Sequence, residues 1–229
     1  MKRISLIILL AALMAFAFGC SKDEKSAEDA AENAQAAADT MPMTRMDSLA
    51  AIRYPVRNED NKFVTMVTDF GNMTLELYHD VAPVHADSFL ARTNEGFYDN
   101  TTFFRIIDGF MIQGGDPTGT GKGKVGYYLA AELSDLQHQD GTLAMARARD
   151  LNSASTQFYI CLARNRSTMS LDGRFTIFGH LIKGYDVLHT IGEVEVVANP
   201  ERENEVSKPS EEVLLRTVFV SDADGNEVI

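Results

Sequence analysis

Beyond Lys2 and Arg3 the sequence has no run of basic residues, and its 21 Lys and Arg stand against 33 Asp and Glu, for a formal net charge of −12. Neutralising phosphates takes clustered cations, so nucleic acid is excluded as the main partner, and adsorption to an anionic membrane face is disfavoured for the same reason. Cysteine occurs only at Cys20 and Cys161. Cys161 ends an apolar stretch and reads as a small buried hydrophobe, whereas Cys20 closes a targeting segment, so no disulfide is expected between them. The apolar run over residues 4–18 is too short for a comfortable membrane span. His79, His85, His138, His180 and His189 show no ligand spacing, and no serine sits at a recognisable nucleophile turn. Glycine crowds residues 116–126, yet no Gly-Lys-Ser/Thr ending precedes a helix there, so a nucleotide is not expected either. The chain is therefore read as needing no metal and no cofactor.

What is present begins with an export signal. Met1-Lys2-Arg3 is a positive start, residues 4–18 are its apolar centre, and small residues follow. The end of it, Ala17-Phe18-Gly19-Cys20, resembles the lipobox of bacterial lipoproteins. That resemblance implies a signal peptide over residues 1–19 and a lipidated Cys20 at the mature N-terminus; the alternative is an ordinary cleaved signal with an incidental cysteine. Ser21-Lys22-Asp23-Glu24-Lys25 is either the start of a solvated linker or, by likeness to some Gram-negative lipoproteins, an address to the outer face of the outer membrane. Residues 20–61 are rich in Ala, Asp, Glu and Asn with few large apolar side chains, and they read as a flexible acidic tether. The expected location is the cell envelope, lipid-anchored in the outer membrane, on its periplasmic or surface face.

The globular domain is expected over residues 62–222, with 223–229 as a C-terminal tail. Met73, Leu75 and Leu77 alternate with Thr74 and Glu76, as a half-buried strand requires. This gives strands at 63–68 and 73–78 around the turn Asp69-Phe70-Gly71-Asn72. Pro83 opens a helix that buries Phe89 and Leu90 and stops at Gly96. Further strands are expected at 142–146, 157–162, 176–182 and 214–221, and a second helix over 184–191. Residues 116–126 read as a long mobile loop, and 199–212 as a polar, charged connection. With the hairpin described next, eight short strands and two helices predict an all-β dominated domain, an antiparallel closed barrel capped by two helices. Nothing in it demands more than a monomer.

The chain is organised around residues 103–116, two short apolar strands joined by an Asp-Gly turn. Arg105 and Gln113 are set among residues that would otherwise be buried. Burying a guanidinium is costly unless it is satisfied, so Arg105 has either a structural ion-pair partner or a ligand to work on. A two-residue loop would set Arg105 against Ile112. A three-residue loop including Phe110 would instead pair Arg105 with Gln113 and Ile107 with Met111, leaving one polar pair on an apolar platform.

These residues resemble the cyclophilin-type peptidyl-prolyl cis/trans isomerases. The run Phe103-Phe104-Arg105-Ile106-Ile107, then Gly109-Phe110-Met111 and Gln113-Gly114-Gly115-Asp116, carries most of the likeness. It is reinforced by the stretches 143–148, 155–160 and 171–179, so that the match spans about 63–221. The resemblance implies an eight-stranded barrel and an isomerase of X-Pro bonds that assists the folding of exported or cell-envelope proteins. It implies Arg105 as the catalytic donor with Gln113 orienting it, and a proline pocket of Phe110, Met111, Tyr159, Leu171 and Phe175. The edge Ala146, Arg147 and Ala148, with Gln157 beside it, would hold the peptide backbone. The partners implied are proline-containing peptides and unfolded segments.

Three positions depart from the best-known members: Tyr159 where Phe is usual, Ser170 where Trp or Phe is common, and Phe175 where His or Tyr is common. The Tyr159 hydroxyl then needs a partner. By alternation Gln157, Tyr159 and Cys161 share one face and Phe158 belongs to the core. Ser170 and Phe175 are the features that would favour the rival reading, a non-catalytic peptide-binding or scaffold module on a membrane tether.

Overall fold

The computed structural model describes residues 61–228, apart from Lys124 and Asn204. The expectations for the export signal, Cys20 and the tether up to residue 60 lie outside these residues.

Among the described residues nine strands form one antiparallel sheet in the order β3-β11-β1-β2-β8-β6-β7-β5-β4. In chain order these are β1 (Lys62–Thr68), β2 (Gly71–Leu77), β3 (Thr101–Thr102), β4 (Arg105–Ile107), β5 (Met111–Gly114), β6 (Thr142–Met145), β7 (Phe158–Cys161), β8 (Ile177–Lys183) and β11 (Leu214–Ser221). The two edge strands, β3 and β4, are separated in the chain only by Phe103 and Phe104. A sheet whose opposite edges are two residues apart must curl until those edges meet, so the barrel closes through this step of chain. The class is as expected. The strand count is not, because β3 is a two-residue edge that pairs only with Leu214 and Leu215.

Packing divides the sheet into two faces. Val64, Met66, Leu75, Ile106, Ile112, Leu143, Phe158, Ile160 and Phe178 point into the barrel and are fully buried. On β5, β6 and β7 the outer face is buried as well, by a second cluster of Met111, Ala144, Tyr159, Cys161 and Ile177. Phe158 lies in the first cluster and Tyr159 and Cys161 in the second, the division that alternation along one strand requires.

Helix α1 (Pro83–Asn94) begins at its proline and buries His85, Ala86, Phe89 and Thr93, a single stripe. Phe89 stacks on Tyr98 at 4.8 Å and meets Phe158 edge-on at 5.5 Å. Ala82 offers no side-chain cap; instead Glu132, far along the chain, accepts from Val84 N, His85 N and His85 Nδ1 at 3.1, 3.0 and 2.6 Å. Helix α2 (Arg166–Met169) is a single turn that the composition did not predict, and Asn165 closes its N-terminus in a reciprocal capping box. Helix α3 (Tyr185–Gly192) falls where the second helix was expected.

Residues 199–212 are not the featureless connection that their charge suggested. They form most of a second, two-stranded sheet, in which β9 (Val196–Asn199) pairs with β10 (Glu205–Pro209). Between them lies a 3-10 turn (Pro200–Arg202) whose first amide is held by Asn199 Oδ1 at 3.1 Å. Residues 116–126, expected to be a loose loop, are gathered around the fully buried Asp116 carboxylate. It accepts from Thr118 N and Oγ1 at 2.8 and 2.9 Å and from Gly123 N at 3.1 Å.

Candidate active site

The hairpin takes the three-residue loop. Arg105 pairs with Gln113, Ile106 with Ile112 and Ile107 with Met111, and Phe110 N closes the turn on Ile107 O at 3.0 Å. Gly109 supplies the left-handed residue of this loop, at φ 64°. The turn is fastened from outside: Asn165, the cap of α2, donates from Nδ2 to Gly109 O at 2.6 Å, and Leu162 N donates to Phe110 O at 3.0 Å. Phe110 is thereby presented from a fixed loop. The ladder continues sideways, Gln113 against Tyr159 and Tyr159 against Ala144, so Arg105, Gln113, Tyr159 and Ala144 form one row across four strands.

Above this row lies a cavity of about 240 Å³ lined by Arg105, Phe110, Met111, Gln113, Ala146, Arg147, Tyr159, Leu171, Phe175 and Arg202. Of the residues expected at the site, Ala148 and Gln157 do not line it; both line an adjoining cavity of about 500 Å³. The backbone edge is also shorter than expected, since Ala146 N is already bound to Gln157 O at 2.8 Å and Ala148 N to Ser153 Oγ at 3.0 Å.

The guanidinium of Arg105 is held differently from the expectation. Its Nε and Nη2 donate to the two carboxylate oxygens of Glu205, on β10, at 2.7 and 2.8 Å, a bidentate, charge-assisted pair. Arg105 holds the Glu205 carboxyl down at a pKa of about 2. Gln113, expected as the orienting partner, makes only a long contact at 3.4 Å, from Arg105 Nη1 to its Oε1. Nη1 also lies 3.8 Å from Met111 Sδ. Since Gln113 and Met111 both line the cavity, Nη1 is the corner of the guanidinium turned toward it. Gln113 in turn donates to Gln157 Oε1 at 3.1 Å, and Gln157 to Gly121 O at 3.3 Å, tying the glycine-rich loop to the same network.

The three departures each find a structural account. The Tyr159 hydroxyl meets His138 Nε2 at 2.8 Å, and His138 Nδ1 meets Asp172 Oδ1 at 3.0 Å. Arg164 pairs with the other oxygen of Asp172 at 2.8 Å. Burial pushes the Tyr159 pKa well up and that of His138 down, so the pocket floor is a neutral Tyr-His pair anchored on an ion pair. Ser170 is exposed and donates to Ser167 O at 2.6 Å, so it builds no wall. Arg147 does line the cavity: its guanidinium lies 4.6 Å from the Phe175 ring centroid and donates to Arg174 O at 2.9 Å. Phe175 meets Tyr159 edge-on at 5.9 Å.

Sequence reasoning missed Glu205 and Arg202. One signal was present: a half-buried arginine on β4 requires an anion, and the charged stretch that follows α3 was the nearest unassigned source.

The family model described as cyclophilin type peptidyl-prolyl cis-trans isomerase/CLD matches residues 63–217. A peptidyl-prolyl cis-trans isomerase of Arabidopsis thaliana is 38% identical over 163 residues, covering 69% of this chain and 93% of that protein. Peptidyl-prolyl cis-trans isomerase 4 of Caenorhabditis elegans is 37% identical over 174 residues, 74% of this chain, which spans only 32% of that relative. Among solved structures, a cyclophilin type isomerase of Cryptosporidium parvum, crystallised in the presence of the dipeptide Ala-Pro, is 34% identical with a TM-score of 0.63 and covers 70% of this chain and 99% of its own. The matched segment carries the barrel, the hairpin and the arginine held beside this cavity, and on these grounds the chain belongs to the cyclophilin-type peptidyl-prolyl cis-trans isomerases.

Proposed function

We propose that this chain is an active isomerase of X-Pro bonds that assists the folding of exported or envelope proteins while held at the outer membrane by a lipid on Cys20. The observation that carries the catalytic part is the Arg105 guanidinium, fixed along one edge by Glu205 with its remaining corner facing a cavity whose apolar wall is Phe110, Met111, Leu171 and Phe175.

Rotation about an X-Pro bond passes through a state without amide resonance, at a barrier of about 18–20 kcal/mol. Bringing a step of tens of seconds to near a millisecond means lowering that barrier by roughly 6–7 kcal/mol. The proline ring sits among Phe110, Met111, Tyr159, Leu171 and Phe175, which grip one side of the bond while the preceding carbonyl turns. Arg105 Nη1 donates toward the prolyl nitrogen or carbonyl as the nitrogen pyramidalises, an interaction stronger in the twisted state than in either planar one. No bond is made or broken and no proton moves.

The test is turnover of a short X-Pro peptide by the purified domain, read by exchange spectroscopy together with binding. Acceleration is expected. Binding without acceleration would favour the scaffold module instead. The envelope part rests on the sequence 1–25 alone. Replacing Cys20→Ala should move the protein from the membrane fraction to the soluble fraction of the producing cells, and unchanged partitioning would overturn the anchor.

A further inference from the structure

Arg202 stands where the proline cavity joins its larger neighbour, and it lines both. Its position is set by the backbone: Asn199, 3% exposed, clamps the turn that carries it, and Glu203 leaves that turn in a left-handed conformation at φ 52°. Its guanidinium lies 6.0 Å from the Phe104 ring centroid, and a Cβ on Gly121 would come within 3.1 Å of Nη2. Arg202 Nε is buried and has no hydrogen-bond partner among the described residues. Burial and the neighbouring Arg105 guanidinium press its pKa downward, against the opposing pull of the Glu205 carboxylate.

The surroundings sharpen this. Among the described residues the larger cavity is lined by three cations, Lys122, Arg147 and Arg202, and by no acidic residue, in a chain whose formal net charge is −12. Two of the three are engaged. Lys122 pairs with Glu201, and Arg147 is bound to the carbonyls of Ala148 and Arg174 and lies over Phe175. Glu205, the carboxylate beside Arg202, gives both oxygens to Arg105. A buried donor nitrogen without an acceptor is costly, and the planar fork of N–H donors on a half-buried arginine matches a carboxylate.

We propose that Arg202 is a specificity-determining residue that binds an acidic side chain of the substrate, within three residues of the proline, as the extended peptide passes from one cavity into the other. An extended chain advances about 3.3 Å per residue, so a residue this close to a proline seated against Arg105 reaches the junction of the cavities. The proposal rests on the isomerase reading above.

The test uses X-Pro peptides in which Glu, Gln or Lys is placed in turn at each of the three positions on either side of the proline. At one position the wild-type protein should favour Glu over Lys in kcat/KM by about tenfold, the equivalent of about 1.4 kcal/mol. In Arg202→Gln the ratio should fall to near one, and in Arg202→Glu it should invert, which loss of structure alone would not produce. Turnover without any Glu preference, or a preference that survives Arg202→Gln, would overturn the proposal. If no peptide is turned over, the isomerase reading fails instead, and calorimetric binding of the same Glu and Lys peptides to wild type and Arg202→Gln then decides this one.

Discussion

Replacing Arg105→Ala should lower kcat/KM for an X-Pro peptide by about 10²–10³-fold, the loss seen when a preorganised donor to a transition state is removed. The direction follows from geometry: with Nε and Nη2 committed to Glu205, Nη1 is the corner that faces both the cavity and Gln113. Arg105→Lys should recover little of the loss. A single ammonium cannot bridge both oxygens of Glu205 and still reach the cavity. Binding of the peptide should fall much less than turnover in either variant, because the apolar wall of Phe110, Met111, Leu171 and Phe175 is untouched. A loss shared equally between binding and turnover would mean that Arg105 serves the ground state alone.

The second large effect is expected at Glu205, which touches no substrate in this account and acts through the arginine. Glu205→Ala frees the guanidinium to turn away from the cavity and should cost about tenfold to a hundredfold in kcat, with a smaller change in KM. Glu205→Gln keeps one acceptor and should fall between. The pH dependence follows from the depressed carboxyl. With a folded pKa of about 2 against an ordinary value near 4.3, Glu205 is ionised in the native state through the whole neutral range. Its contribution to stability is complete above the ordinary value and is lost as pH falls from there through about 2. Turnover should therefore stay flat between about pH 6 and 8, and a bell-shaped profile would point to a general acid or base.

The parts of this protein that were readable from sequence are those in which one local rule had a single outcome. Along β7, alternation allowed only one partition of Phe158 from Tyr159, and the structure has it. In the hairpin, the choice between two registers fell to loop length, and pairing Arg105 with Gln113 follows from counting Phe110 into the turn. The need for a partner on the Tyr159 hydroxyl was also readable, but not its identity, because His138 is brought there by β6 and its preceding loop rather than by any local pattern. The β9-β10 ribbon was unreadable for a physical reason. It buries Asn199, Ser207 and Pro209 while exposing Val197 and Val206, so its hydrophobic pattern is inverted relative to a core strand. Its charge then reads as solvated surface, and the residue that grips Arg105 is hidden in it. The identity of Arg105 could be read from the motif around it; what holds it could not.

Whether Glu205 acts through Arg105 is tested most directly by a double-mutant cycle on kcat/KM. Glu205→Gln should reduce turnover in the wild-type background and cause no further loss in the Arg105→Ala background. Equal losses in the two backgrounds would contradict it, since Glu205 would then act on the substrate or the fold independently of the arginine.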